Sequence, residues 1–154
     1  MGVVVDTSVF VSAERLRRSL DLSRWQQHGI AFVSAVTVSE LLVGVHLANT
    51  ESRRHERSRF VERVLSTNPV LDFTESVARV HAKVIAELRR QGTPVGLSDT
   101  MIAATALFHG AAVLTGNIRD FQQVSGLTVL EYVEPLESEA PSPSSSPEDG
   151  CEGT

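Results

Sequence analysis

Short apolar runs recur along the chain, separated by longer and more polar segments. They occupy residues 3–5, 30–33, 70–71, 111–114 and 128–130. Within each run the apolar residues are consecutive, whereas a strand with one face in water would alternate apolar and polar positions. The pattern therefore predicts β-strands that are covered on both faces.

The segments between these runs carry apolar residues at helical spacing. Residues 101–108 are apolar on all sides, which predicts a helix deep in the fold. Strands that alternate with helices are joined by right-handed crossovers and form a parallel sheet, so we predict an α/β fold. The apolar positions of three further helices are Val38, Leu41, Leu42 and Val45, then Phe60, Val61, Val64 and Leu65, and then Val77, Val80, Val84 and Leu88.

Composition divides the chain near residue 136. The 154 residues are 42% hydrophobic and 21% charged, which is the composition of a globular protein. Residues 137–154, by contrast, are rich in Pro, Ser and Glu, and they cannot bury enough surface to offset the entropy of ordering. We predict one domain over residues 1–136 and a disordered tail over residues 137–154.

The net charge of −5 belongs to that tail. Residues 137–154 hold five acidic residues and no Lys or Arg, which leaves 14 acids and 14 bases in residues 1–136. All of the bases except Lys83 are arginines. Arginine suits phosphate recognition, although a codon usage biased toward arginine would give the same count.

Several classes of protein are excluded by what the sequence lacks. No apolar run approaches the roughly 18 residues of a membrane span, and the N-terminus has no charged region leading into a secretory signal. The single cysteine, Cys151, excludes a disulfide framework and a cysteine-rich zinc site. We therefore expect a cytoplasmic protein without membrane contact.

Polar residues follow the predicted strands, and most of them are acidic. Asp6 follows the first run directly, Glu40 comes seven residues after the second, Asp99 begins the apolar helix, and Asn117 and Asp120 follow the fourth run. Functional residues of parallel sheets gather beyond the carboxyl ends of the strands, so we expect these side chains to lie together. Carboxylates that converge repel one another unless a cation is bound, and oxygen ligands favour Mg²⁺ or Mn²⁺ over zinc.

Each of these residues also has an ordinary structural interpretation. Asp6, Asp99 and Asn117 are residue types that cap helix N-termini. The segment from Thr37 to Glu40 fits a capping box, in which the glutamate reaches back to the backbone of the threonine. One such residue alone is weak evidence for a site, and their shared position after strands is the stronger signal.

Four short blocks around these acids resemble the PIN-domain family, specifically the VapC-type toxins of bacterial toxin–antitoxin systems. The blocks are VVVDTSVFV, SAVTVSELLVGV, LSDTMIAATAL and AAVLTGNIRDF, and the similarity runs from Val3 to about Val133. The resemblance implies a PIN-like three-layer fold with a central parallel five-stranded sheet flanked by helices. It also implies a Mg²⁺-dependent ribonuclease, with Mn²⁺ as a possible substitute, that forms a homodimer and is inhibited by a cognate VapB-type antitoxin.

By this resemblance Asp6, Glu40 and Asp99 match the three acidic positions of the family. Asn117 occupies a fourth position that is often aspartate, and Asp120 is a candidate to supply the missing carboxylate. Asparagine offers a carbonyl oxygen but no charge, so the number of metal ions, one or two, stays open.

The resulting hypothesis is hydrolysis of an RNA phosphodiester bond. Asp6 and Asp99 would hold Mg²⁺, and Glu40 would orient or deprotonate the attacking water, or complete the metal shell. An inactive PIN fold that binds RNA or protein is the alternative, and Asn117 keeps it open. Three hydroxyl residues beside the acids can contact the scissile phosphate or fix a carboxylate: Thr7, Ser8 and Thr115.

Positive charge for RNA binding is available from Arg15, Arg17, Arg18 and the arginines of residues 53–63, although a solvated helix face explains most of these equally well. Other enzymes that gather acids after parallel strands fit less well. A receiver domain needs a lysine after a late strand, and the only lysine is Lys83, within a predicted helix. The glycine-rich nucleotide-binding motifs are absent from the sequence.

Overall fold

The computed structural model describes residues 1–134 of the chain. The strands are β1 (Gly2–Val5), β2 (Ile30–Ser34), β3 (Val70–Leu71), β4 (Ala112–Thr115) and β5 (Val129–Glu131). The helices are α1 (Thr7–Arg15), α2 (Ala35–His46), α3 (Glu51–Thr67), α4 (Glu75–Gln91), α5 (Leu97–Phe108) and α6 (Ile118–Phe121), and a 3-10 helix covers Ser23–His28.

The described strands form one five-stranded sheet in the order β3-β2-β1-β4-β5, and every neighbouring pair is parallel. In the centre of the sheet, Val5 of β1 is in register with Val33 of β2 and with Leu114 of β4. The chain leaves β1 toward β2 and later returns to its other side with β4, so the strand order reverses between β1 and β4. Ligands of open α/β sheets bind at such a reversal.

Both faces of the sheet are covered by helices. Successive side chains of a strand point to opposite faces, so each central strand contributes to two apolar clusters. Val3 and Val5 pack with residues of α1, α2 and α3 in one apolar cluster that includes Phe10 and Phe60. Val4 packs on the other face with α4, α5 and α6, where Ile102 is fully buried. The predicted three-layer α/β fold with a central parallel sheet is confirmed.

The predicted apolar stripe of α2 is confirmed at three of its four positions. Leu41 and Val45 are buried, and Val38 packs against the same apolar cluster. Leu42 was predicted on this stripe but is 36% exposed. The buried side of the helix also includes a polar residue, Thr37, whose hydroxyl lies 3.1 Å from that of Thr7.

The predicted tail, residues 137–154, lies outside the described residues, as do residues 135 and 136, so the domain boundary stays a prediction. Among residues 1–134, no helix is both long and apolar enough to cross a membrane.

Candidate active site

Asp6 is held rigidly at the carboxyl end of β1. Its backbone N–H donates to the Leu114 carbonyl oxygen (2.9 Å), which continues the β1–β4 ladder by one residue. Its Oδ2 accepts hydrogen bonds from Ser8 Oγ (2.6 Å), Thr115 Oγ1 (2.8 Å) and the Ser8 N–H (3.4 Å). Asp6 is only 3% exposed and is the N-cap of α1. The capping interpretation is therefore correct, and the same carboxylate also lies at the strand-order reversal.

Glu40 reaches the site because α2 begins earlier than the sequence suggested. The N-cap is Ser34, whose Oγ accepts from the Thr37 N–H (3.0 Å), so the predicted capping box from Thr37 to Glu40 is wrong. Glu40 instead lies in the middle of the helix, one turn beyond Thr37 on the same side. Its Oε2 accepts a hydrogen bond from Thr7 Oγ1, and this hydroxyl also lies 3.1 Å from Thr37 Oγ1.

Asp99, Asn117 and Asp120 form a third hydrogen-bonded group. Asp99 lies in the first turn of α5, which starts at Leu97 after the N-cap Gly96, so the predicted start at Asp99 is late by two residues. The Asn117 side-chain amide donates to Asp99 Oδ2 (3.2 Å) and to Asp120 Oδ2 (2.9 Å). Asn117 thus presents its N–H groups to the two carboxylates rather than a carbonyl oxygen, and it joins Asp120 to the site.

The electrostatics show that these groups share one location. The pKa of Asp99 is raised to about 6, first by burial and then by the carboxylates of Asp6, Asp120 and Glu40, in that order. Among the described residues, the opposing influence is the hydrogen bond from Asn117. Four carboxylates therefore lie close enough to repel one another, which is the arrangement that a bound cation stabilises.

The donor set fits a hard divalent cation. Every candidate ligand is an oxygen, the group is anionic, and Mg²⁺ prefers carboxylate oxygens and water. Within residues 1–134, no three His, Cys, Asp or Glu side chains are already gathered as the ligands of one metal ion. Each carboxylate is instead held by a hydroxyl or amide of the protein. Asp6 and Asp99 would hold the ion, because Asp6 is the carboxylate with the strongest influence on the pKa of Asp99.

Comparison with known proteins gives the family. The PIN domain model matches residues 3–127. Ribonuclease VapC1 of Rickettsia felis is 37% identical over 130 residues, which cover 84% of this chain and 96% of that protein. The chain belongs to the PIN-domain family. Several of its relatives are named VapC ribonucleases.

Further relatives and solved structures agree with this assignment. The tRNA(fMet)-specific endonuclease VapC of Shigella flexneri is 38% identical over 101 residues, 65% of this PIN domain chain and 74% of that protein. The DNA-bound VapBC structure from Salmonella typhimurium matches with a TM-score of 0.76 at 27% identity, covering 85% of this chain and 98% of that one. VapBC2 of Rickettsia felis, bound to a promoter DNA fragment, matches with a TM-score of 0.78 over 86% and 100% of the chains, and at 20% identity it supports the fold alone.

The three hydroxyl residues fix carboxylates in this PIN domain. Thr7 donates to Glu40, while Ser8 and Thr115 donate to Asp6. Thr115 is fully buried, and its Oγ1 also accepts from the Asn117 N–H (2.8 Å), so one hydroxyl links β1 to the loop after β4. Two roles were considered for these residues, contact with the scissile phosphate and fixing of a carboxylate. The contacts in the structure are those of the second role.

Three residues of the hydrogen-bond network around the acids were not predicted from the sequence. Ser34 and Thr37 are fully buried and orient the start of α2, and the Gly116 N–H donates to Ser8 Oγ (3.1 Å). A signal for Ser34 was present, because it is the first polar residue after the second apolar run, the same position that Asp6 has after the first. The contact of Gly116 depends on loop geometry and left no sequence pattern.

The crowding of the acids predicts that Asp99→Asn stabilises the metal-free protein. The folded-state pKa of Asp99 lies above its ordinary value of 3.8, so its charged form at pH 7.5 opposes folding, an effect that disappears as the pH falls. Because Asp99 is partly exposed, we discount the effect to about 1 kcal/mol, or a rise in Tm of about 3 °C. Thermal unfolding in chelator measures it. The exposed Asp72→Asn is the matched control, and a Tm at or below that of the unaltered protein would contradict the prediction.

Proposed function

We propose that this chain is an endoribonuclease of the VapC type that hydrolyses RNA phosphodiester bonds in the cytoplasm with a bound divalent cation, Mg²⁺ or its substitute Mn²⁺. The observation that carries the proposal is the convergence of Asp6, Glu40, Asp99 and Asp120 at the strand-order reversal. It is supported by relatives that are named ribonuclease and endonuclease.

The residues of the chain divide the work according to how they are held. Asp6 and Asp99 bind the cation, which supplies charge stabilisation for the phosphate and the leaving oxygen. Glu40 orients the attacking water and takes its proton, because Thr7 engages Oε2 and leaves Oε1 as the atom to face the water. Asn117 holds Asp99 and Asp120 apart with its two N–H groups, so that two like charges can be retained side by side.

The partner of such an enzyme would be a protein that covers the acidic site. Solved structures similar to this chain are VapBC toxin–antitoxin complexes, including one from nontypeable Haemophilus influenzae. We therefore include a cognate VapB-type antitoxin and a homodimer in the proposal. An unbound carboxylate cluster that repels itself is a suitable target for a cationic group of such a partner.

Removal of the divalent ion is expected to abolish cleavage. Purified protein without antitoxin is incubated with structured RNAs, and chelator should reduce the product to background, because the carboxylates alone cannot neutralise the charge that develops on the phosphate. Added Mg²⁺ or Mn²⁺ should restore cleavage.

Asp6→Asn and Asp99→Asn preparations, purified identically, report any contaminating nuclease. Cleavage that survives chelation, or that both variants retain, would show that the metal site is not the source. RNA binding without cleavage under all metal conditions would favour the inactive binding module.

A further inference from the structure

A second charged feature of the molecule is a groove on the α1–α3 side of the sheet. The groove has a volume of about 790 Å³ and lies between the C-terminal half of α1, the chain that follows it, and α3. Its apolar lining includes Leu20 and Leu22 together with the buried side chains of Phe10 and Phe60. Its walls include six of the 14 basic residues of the chain, Arg17, Arg18, Arg53, Arg57, Arg59 and Arg63. We call it the arginine groove.

The acids of the arginine groove balance only part of this charge. Two carboxylates line it, Glu14 and Glu56, against the six guanidinium groups. Arg57 is bound by both Glu14 Oε1 (3.0 Å) and the Gly44 carbonyl oxygen (2.7 Å). The residues that line the groove therefore carry six positive and two negative formal charges, a balance that suits an acidic segment.

The groove is separate from the carboxylate site but shares α1 with it. The helix begins at Thr7, which contacts Glu40, and its C-terminal half lines the groove through Ala13 and Glu14. The first lining residue, Phe10, is one helical turn from Thr7. One helix therefore carries an anionic site at its start and a cationic groove at its end.

The described chain ends at the rim of this groove. Tyr132 stacks against Trp25, with ring centroids 5.4 Å apart, and packs in the same apolar cluster as Leu20 and Leu22, which line the groove. Two residues later, Glu134 accepts a hydrogen bond from Ser12 of α1. Residues 135–154 therefore continue from a point next to the arginines.

The segment that continues there has the complementary charge. Residues 137–154 carry Glu137, Glu139, Glu148, Asp149 and Glu152, and no Lys or Arg. By the scaling for linkers, 20 residues correspond to an average end-to-end distance of about 25 Å, so the acids can meet the groove at an effective concentration in the millimolar range. At that concentration even weak ion pairs compete with free ligands.

We propose that the acidic segment 137–154 binds in the arginine groove of its own chain. The bound segment occupies a groove lined by six arginines, and it competes there with other polyanions. The occupant is this segment rather than RNA, because it is tethered at the rim and RNA must displace it. The inference concerns a site distinct from the carboxylates, so it can fail while the proposed nuclease activity stands.

Cys151 makes the test direct, because it is the only cysteine and lies among the tail acids. A nitroxide attached to Cys151 of the full chain should broaden the amide signals of Arg17, Arg59 and Arg63. A tethered label broadens some nearby signals without binding, so the comparison is with a neutral-tail variant that carries Glu137→Gln, Glu139→Gln, Glu148→Gln, Asp149→Asn and Glu152→Gln. We expect the broadening in the groove to fall at least about threefold in that variant, and likewise in 0.5 M salt.

Two controls make the result decisive. The pair Arg59→Gln and Arg63→Gln should abolish the broadening, whereas Arg89→Gln and Arg90→Gln, exposed on α4, should leave it unchanged. A sample in which nitroxide and ¹⁵N are on different chains distinguishes binding in cis from binding to a second copy.

Equal broadening with the acidic and neutral tails would overturn the proposal. Broadening in the mixed sample would assign the groove to a second copy instead. A (dT)₁₂ oligonucleotide that shifts the groove signals equally in both tail forms would assign the groove to nucleic acid, since a bound tail should weaken that binding at least about threefold.

Discussion

Replacing Asp6 with asparagine is expected to lower the rate of RNA cleavage about 10³-fold, equivalent to roughly 4 kcal/mol of lost transition-state stabilisation. Asparagine is the informative substitution because it caps helices as well as aspartate does, so α1 should keep its start. What is lost is one negative charge at the point where Ser8 and Thr115 hold the carboxylate. Single-turnover cleavage of a structured RNA at saturating Mg²⁺ measures the effect.

The matched control is Asp72→Asn, which removes one charge from an exposed residue that does not contribute to the pKa of Asp99 and should cleave normally. Circular dichroism and Tm should show that Asp6→Asn is folded. Growth supplies a second measurement, since expression of the unaltered chain alone should slow growth and expression of Asp6→Asn should not. Cleavage within about tenfold of the unaltered protein would remove Asp6 from the metal site, because loss of a ligand charge costs several kcal/mol.

The sheet could be predicted because its strands are simple. Consecutive apolar residues such as Val3, Val4 and Val5 can only be buried on both faces, and their spacing by helices leaves a parallel sheet as the solution. The position of Asp6 followed from the same reasoning, since residues after parallel strands meet at one edge, whereas Asp99 lies between α4 and β4, in the first turn of α5. Local pattern and topology agree at these positions, so the sequence is sufficient to predict the strands and the position of Asp6.

The position of Glu40 depends on information that a local pattern does not contain. Two overlapping starts were possible for α2, one capped by Ser34 and one capped by Thr37, and both give good capping residues. The actual start is decided by the burial of Thr37, whose hydroxyl lies within hydrogen-bond distance of Ser34 and Thr7. Those contacts join β2 to α1 and are visible only after the chain has folded.

The role of Asn117 was also beyond the sequence. An asparagine in a carboxylate cluster can offer an oxygen to a metal ion or N–H groups to the acids, and the two choices differ by a side-chain rotation. The structure has the N–H groups directed at Asp99 and Asp120. The amide therefore lowers the repulsion between these carboxylates instead of adding a ligand, which makes Asp120 part of the cluster without replacing the family's fourth acid.

Glu40→Gln is expected to lower kcat about 10²-fold while leaving the Mg²⁺ concentration for half-maximal activity nearly unchanged. A general base contributes about 10²- to 10⁴-fold, and glutamine keeps the acceptor for Thr7 but cannot take a proton. Thr7→Val should cost about tenfold, because it leaves the carboxylate in place without its anchor. The two substitutions act on one group, so the double variant should be no slower than Glu40→Gln.

Measurement of kcat together with the Mg²⁺ requirement distinguishes the two roles open to Glu40, activation of the water and binding of the metal ion. If it oriented the water, saturating Mg²⁺ would not rescue Glu40→Gln, and KM for RNA would stay constant. If it completed the metal shell, the Mg²⁺ requirement would rise at least about tenfold and excess Mg²⁺ would restore kcat. We expect the first result because Glu40 stands on α2, held by Thr7, whereas the carboxylate with the strongest influence on the pKa of Asp99 is Asp6. A rescue by Mg²⁺ would make Glu40 a metal ligand and leave the water to be activated by another group.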